Sequence, residues 1–382
     1  LGGMFGVYIH IPFCRTACHY CDFHFSTNHS TLAAMESALA REIEVRLEAE
    51  QPDLADIHSI YFGGGTPSLF PVSGLKRLLN AFLPGASACR EITLEANPED
   101  VTRALLDAWR SMGITRLSIG IQTFDENRLD WMNRKHSALD AEQAVRWAAE
   151  AGFEHLTADL IYGIPGRTHA FEHELERFIS LPVDHLSAYI LTVEEQTVLG
   201  RNVQSGKALA PDDDQIETEY RALCSAMKRA GFEHYEVSNW ARPGGHAVHN
   251  QHYWSGLPYW GIGPGAHSFS GMNRTANVSN NPRYIRAMNS VEKPSDLPLE
   301  TDSLSPTDRY NESLMTGLRT ARGIDLSQLE RTFERRPDLM NPDEWENLIS
   351  TEQVIEWSPG RFRIPEKSWL FADRIASALF DV

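Results

Sequence analysis

Three cysteines, Cys14, Cys18 and Cys21, stand within eight positions in the stretch Phe13-Cys14-Arg15-Thr16-Ala17-Cys18-His19-Tyr20-Cys21-Asp22-Phe23. Thiols this close on one loop have no packing reason to gather, and as thiolates they can converge on a metal. A cubane iron-sulfur cluster held by three of them keeps one iron open for a further ligand. A structural zinc ion would want a fourth donor, which His19 or His24 could supply. The odd total of five cysteines fits ligation in a reducing compartment better than a disulfide framework. Cys89 and Cys224 stand alone and read as packed thiols.

Further chemistry-bearing residues follow. Gly63-Gly64-Gly65-Thr66-Pro67 lacks side chains that would keep a ligand off the backbone. A phosphate loop would carry a Lys-Ser/Thr pair after the glycines, and none follows. Glu95, Gln122 and Asp159 sit at or near the ends of apolar runs, with Arg134 in a following loop. Taken singly, such a carboxylate reads as a cap or an ion-pair partner. His246, His249, His252 and His267 form a histidine-rich neighbourhood, but no acid or cysteine spacing there supports a metal. On residue type alone, His249 with Tyr253 and Trp254 is an aromatic core patch.

The elements that must position these groups are short apolar runs: Val7 to Ile11, Ile57 to Phe62, Ile92 to Glu95, Leu117 to Ile121, Leu156 to Ile161 and Leu186 to Leu191. Amphipathic stretches Leu32 to Leu47, Val101 to Trp109 and Ala138 to Ala151 lie between them, the last closed by Gly152. Strands alternating with helices imply a parallel sheet with right-handed crossovers, either an open doubly wound sheet or a barrel, and in both the ligands gather at the C-terminal strand ends. Asp212-Asp213-Asp214 reads as an N-cap and first turn rather than a site. After about residue 240 the chain turns rich in Gly, Asn, Pro and aromatics. From about Pro306 come helical Tyr310 to Thr320 and Leu326 to Phe333, then a hairpin over Val354 to Ile364 and a last helix, the outline of a winged-helix-like module. The expected division is 4–240, a connecting segment 241–304 and a C-terminal helical module 305–382.

The C-x3-C-x2-C loop after the first strand resembles that of the radical S-adenosylmethionine (SAM) superfamily. The resemblance implies an α/β fold, a partial (β/α)6 barrel, with a 4Fe-4S cluster on Cys14, Cys18 and Cys21 and SAM chelating its open iron. It implies that Gly64, Gly65 and Thr66 receive the SAM amino group. Arg134 suits the SAM carboxylate, and Glu95, Gln122 and Asp159 suit its ammonium and ribose hydroxyls. By resemblance to the coproporphyrinogen-dehydrogenase branch of the superfamily, Tyr8 and Tyr20 would line the same pocket. A reduced cluster then breaks a carbon–sulfur bond of SAM, giving a 5′-deoxyadenosyl radical.

His249-Asn250-Gln251-His252-Tyr253-Trp254 resembles the H-N-x-x-Y-W motif of HemW-type haem chaperones, and Gly261 to Ser268 resembles their glycine-rich segment. That likeness implies haem as cargo, bound with the help of His249 and His267 and passed to an acceptor protein. It further implies an electron donor for the cluster, and leaves a homodimer open. The alternative in the same lineage is oxygen-independent coproporphyrinogen III dehydrogenase, an enzyme of porphyrin biosynthesis. That branch typically has another cysteine where this chain has Phe23, and a longer segment before the first strand than the thirteen residues preceding Cys14 here. Both differences favour the chaperone.

The 382 residues carry a net charge of −17, which argues against a broad nucleic-acid or anionic-membrane face. No apolar run reaches about eighteen residues and no signal-peptide pattern opens the chain, so a soluble cytoplasmic protein is expected.

Overall fold

The computed structural model describes residues 3–166 and 171–381. The strands in chain order are β1 (Phe5–Ile11), β2 (Ile57–Gly64), β3 (Glu91–Ala96), β4 (Arg116–Gln122), β5 (His155–Tyr162), β6 (His185–Ile190), β7 (Glu233–Glu236), β8 (Asn239–Ala241), β9 (Tyr259–Ile262), β10 (His267–Phe269), β11 (Asn273–Asn277), β12 (Leu299–Ser303), β13 (Ile324–Asp325), β14 (Ile355–Ser358) and β15 (Arg361–Arg363). β1 to β6 pair in parallel, each with the next. β1 pairs on its other side with β9, and β6 with β8, so the six strands do not close on themselves. The parallel sheet is the one the strand and helix alternation implies, and its partial-barrel form is the one the resemblance implies.

Alternation along each strand sorts the side chains. Ile92, Leu94, Leu117, Ile119, Leu156, Ala158, Leu160, Leu186 and Ala188 are buried in the main core. The intervening positions, Thr93 and Glu95, Ser118, Thr157 and Asp159, Ser187 and Tyr189, line a concave cavity. A barrel interior this polar is suited to a ligand rather than to packing.

The stretch 241–304, set apart by its composition, contributes four strands to the same sheet, whose order is β12-β11-β10-β9-β1-β2-β3-β4-β5-β6-β8-β7. It is therefore an extension of the barrel sheet rather than a mere connection. Only β9 runs parallel to its barrel neighbour; β10, β11 and β12 follow as an antiparallel run. The C-terminal module has the expected outline: helices Pro306–Leu318 and Leu326–Phe333, a three-stranded sheet β13-β15-β14, and a last short helix Ala372–Ser377. Asp212 caps the helix Asp213–Arg229 by accepting from the Gln215 amide, as its acidic run implied. Among the described residues no helix is long and apolar enough to cross a membrane.

Candidate functional site

A cavity of about 460 Å³ opens at the C-terminal ends of the barrel strands. The loop after β1 brings Cys14, Cys18 and Cys21 to it, and the loop after β2 brings Gly64, Gly65 and Thr66. Glu95, Gln122, Arg134, Asp159 and Tyr20 line it as well. Of the fourteen residues singled out from sequence, Tyr8, His249 and His267 do not reach this lining.

The cysteine loop is strapped at several points. The Cys14 amide donates to the Ser26 carbonyl at 3.0 Å, and His29 Nε2 meets the Cys14 carbonyl at 3.0 Å. Asn133 donates to the Ala17 carbonyl at 2.9 Å, and the His19 amide to the Met132 carbonyl at 3.2 Å. His19 Nδ1 lies 2.7 Å from the Trp131 carbonyl. The loop that carries Arg134 therefore also fixes the cysteines. His24 faces Asn281 at 2.8 Å, so neither histidine proposed as a fourth zinc donor lines the cavity with the thiols.

Burial pushes the Cys14 thiol up to about 12 and the Cys21 thiol up to about 11, with the neighbouring cysteines adding to the shift. Two buried thiols this reluctant to ionise need a multivalent cation beside them to become thiolates together. Their donor set and the cavity beside them fit a cluster held from one side.

The glycines are tied to the same geometry. A Cβ on Gly65 would stand 2.7 Å from the Phe13 carbonyl oxygen, so this backbone passes directly under the base of the cysteine loop. Gly64 has φ of 110°, a conformation that favours glycine, and donates its amide to Glu95 Oε2 at 3.1 Å. Tyr61 Oη donates to Glu95 Oε1 at 2.6 Å. Burial raises the Glu95 carboxyl to about 7, against the pull of those two donors. Asp159 rises to about 6 for the same reason, opposed by hydroxyls of Ser187 and Ser118 and by Arg134. Both carboxylates are costly to keep charged in this cavity, and a cationic ligand would relieve that cost.

Arg134 is clamped by Asn97 Oδ1 at 2.7 Å and the Gly120 carbonyl at 2.8 Å, with Nη1 3.7 Å from Cys18 Sγ. Its Nε is buried with no hydrogen-bond partner among the described residues. A fixed guanidinium with one unspent donor beside the thiols suits a carboxylate. Gln122 has φ of 70°, a strained backbone for a side chain aimed at a cavity. Thr66 accepts from Asn97 Nδ2 at 3.3 Å. Asn97, Ser118, Ser187 and Tyr61 belong to the site but were not singled out from sequence; the alternation of Ser, Thr and acids with aliphatics in each strand carried that signal.

The H-N-x-x-Y-W segment forms the helix Val248–Trp254. Glu91 caps it, accepting from the Val248 and His249 amides at 3.1 Å each, while bound to Arg116 Nε at 2.8 Å. The helix thereby seals the N-terminal end of the barrel, opposite the cysteines. The expectation that His249 meets a macrocycle is not met by this geometry. His249 is 2 % exposed, with Nδ1 2.8 Å from Ser59 Oγ and Nε2 3.0 Å from Tyr253 Oη. Burial lowers its pKa to about 3, so the ring is neutral but both nitrogens are engaged. Its neighbour Asn250 lines the cavity instead. Tyr8 is outside the lining, in a cluster where its ring packs beside the directly stacked Tyr61 and His249. His267 is exposed on β10, outside the cavity.

Comparison with known proteins decides the family. The family profile of the Radical SAM superfamily matches residues 8–180, and that of the HemN C-terminal domain matches residues 304–371. A protein of Mycobacterium tuberculosis named "Heme chaperone HemW" is 36% identical over 99% of this chain and 95% of its own length. The chain belongs to the HemW family of the radical SAM superfamily. The HemW of Bacillus subtilis is 34% identical over 90% of this chain and 91% of its own. Among solved structures, the coproporphyrinogen III oxidase HemN of Escherichia coli, described as a radical SAM enzyme, superposes with a TM-score of 0.82. It covers 99% of this chain and 90% of its own at 21% identity, a likeness of fold. The HemW relatives align with both the barrel and the C-terminal module of this chain.

Proposed function

We propose that this protein is a haem chaperone that carries a 4Fe-4S cluster on Cys14, Cys18 and Cys21, binds SAM beside it, and delivers haem to an acceptor protein. The observation that carries the reading is the convergence of three thiols, a clamped Arg134 and two strained carboxylates on one cavity of a HemW-family chain. When bound, the cluster supplies an electron source and one open coordination site for the SAM amino and carboxylate groups. Arg134 holds the carboxylate through its unspent Nε. Glu95 and Asp159 accept from the ligand's amine and hydroxyl donors, and a sulfonium nearby favours their ionised forms. Gly64 and Gly65 let the ligand approach backbone groups.

Haem binding is supported by the relatives' name rather than by an iron ligand in this cavity. The exposed apolar groups at the cavity mouth, Phe23 at 72 % and Tyr189 at 46 % exposure, give a macrocycle a flat surface to rest on. Phe23 is also the position where the dehydrogenase branch has its extra cysteine. An electron donor and an acceptor protein complete the proposed cycle.

The test is a pair of anaerobic incubations of the cluster-loaded protein with SAM and a reductant, one with haem and one with coproporphyrinogen III. Stoichiometric haem binding without decarboxylation, followed by transfer to an apo haem protein, is the expected result. Multiple turnovers to protoporphyrinogen IX would overturn the chaperone reading and make the protein an enzyme.

A further inference from the structure

A second cluster of metal-binding side chains lies far from the cysteine loop, where the barrel sheet meets the C-terminal module. Cys224 on the helix Asp213–Arg229, His234 on β7 and Glu366 after β15 each offer one ligand atom, all within 4.8 Å of one another. His234 Nδ1 is 2.8 Å from Glu366 Oε1 and 4.0 Å from Cys224 Sγ. We propose that Cys224, His234 and Glu366 form a site for a zinc-class divalent cation that clasps the C-terminal module to the barrel.

Two other readings of the trio fit the geometry less well. In a nucleophile–base–acid relay the imidazole uses one nitrogen for the nucleophile and the other for the acid. Here the same nitrogen faces both partners, so the three groups point at one place instead of forming a chain. A plain hydrogen-bonded tie of His234 and the Cys224 thiol to Glu366 accounts for the contacts but not for three ligand atoms of different chemistry gathered within 4.8 Å of one another.

The spacing is near what zinc needs. Zinc–ligand bonds of about 2.0–2.3 Å imply donor separations of about 3.3–3.8 Å in a tetrahedron. The imidazole–carboxylate pair must open by under about 1 Å and the thiol must close by a similar amount. The ring is held for this: His234 stacks on Trp240 at 3.8 Å between centroids and meets Trp369 edge-on at 4.3 Å. Its side chain is 5 % exposed. Beside it lies a cavity of about 270 Å³ lined by His234 and Glu366, which leaves room for a fourth, exchangeable ligand. Lys228 and Arg363 also line that cavity. A dication on one thiolate and one carboxylate is neutral overall, so these two cations do not oppose it. Cys, His and carboxylate together suit zinc over calcium or magnesium. Binding releases the Cys224 proton to solvent, and the cation offsets the burial and the Glu366 charge that otherwise keep the thiol protonated.

The test uses the full chain carrying Cys14→Ala, Cys18→Ala and Cys21→Ala, so that the cluster thiols do not compete, titrated anaerobically with Co²⁺. One equivalent with a thiolate-to-cobalt charge-transfer band and tetrahedral visible bands is expected. Adding Cys224→Ser should abolish the charge-transfer band, and adding Glu366→Gln should weaken binding at least about tenfold, the loss of one ligand. A band that survives Cys224→Ser, or no binding at all, overturns the site. Zinc-edge X-ray absorption on the cluster-loaded natural sequence checks the same point without the alanine background. One sulfur among nitrogen and oxygen neighbours supports the site, and zinc without sulfur, or no bound zinc, refutes it.

Discussion

Replacing Glu95 with glutamine separates the cost of the site from its use. The Glu95 carboxyl is raised from an ordinary value of 4.5 to about 7, chiefly by burial, with Asp159 adding to it and the Tyr61 hydroxyl and Gly64 amide opposing it. Between those two values the folded chain holds a proton that the unfolded chain has released. Stability therefore falls as pH rises through this window and is flat above about 7. From pH 5 to pH 8 the chain crosses about two of those pH units at about 1.4 kcal/mol each, or about 2 kcal/mol once the water in an open cavity is allowed for. Glu95→Gln removes this slope. Its amide also loses the Gly64 bond, a penalty of about 1 kcal/mol that does not depend on pH and so cancels in the comparison. The assay is the urea or thermal midpoint of the metal-free chain and its variant, under anaerobic conditions, at pH 5 and pH 8. The gap between the two proteins should shift toward the variant by about 2 kcal/mol at the higher pH. Infrared difference spectra add a direct view: the natural protein should show one more protonated carboxyl component titrating near neutrality than the variant, which keeps those of other buried acids such as Asp159. A gap that is the same at both pH values would refute the reasoning. The variant should meanwhile bind SAM more weakly, so the residue costs stability for the sake of its ligand.

Three further substitutions test other parts of the site. Cys18→Ser should abolish the iron-sulfur absorption after anaerobic reconstitution, and a fully retained cubane spectrum would refute the placement of the cluster. Arg134→Lys keeps the charge but loses the fork that spans Asn97 and the Gly120 carbonyl; SAM affinity should fall by about 1.5–3 kcal/mol in calorimetry while the cluster still assembles. His249→Ala removes the partner of Ser59 and Tyr253 and should lower the melting midpoint by an amount equivalent to about 2 kcal/mol with haem stoichiometry kept. Loss of haem binding at an unchanged midpoint would restore His249 as an iron ligand.

The barrel was legible because buried parallel strands read as continuous apolar runs. The expected Ile57 to Phe62, Leu156 to Ile161 and Leu186 to Leu191 differ from β2, β5 and β6 by one or two residues at an end. The helix Leu326–Phe333 falls where its pattern placed it. β11 and β12 escaped because Asn273–Asn277 and Leu299–Ser303 are partly or largely exposed and carry few apolar residues, so no alternation marks them. The cysteines and strand-end polar groups were legible through their types and spacing. His249 was misplaced for a different reason. On a seven-residue helix, adjacent positions point about 100° apart, and only the docking of that helix through Glu91 and Ser59 decides that Asn250, not His249, faces the cavity.

The position of β1 between β2 and β9 bears on how the protein is made. As the ribosome releases the chain from its N-terminus, the strand that leads into the cysteine loop waits for a neighbour that lies in residues 259–262. At about 5–20 residues per second, that wait is on the order of tens of seconds. Throughout it, Cys14, Cys18 and Cys21 hang from an unfinished edge, open to oxidants and to stray metal ions. Arg134 and the loop that straps the cysteines arrive midway, but the helix that seals the far end of the barrel comes only at Val248–Trp254. A cluster held by these thiols would find its seat complete only late in synthesis.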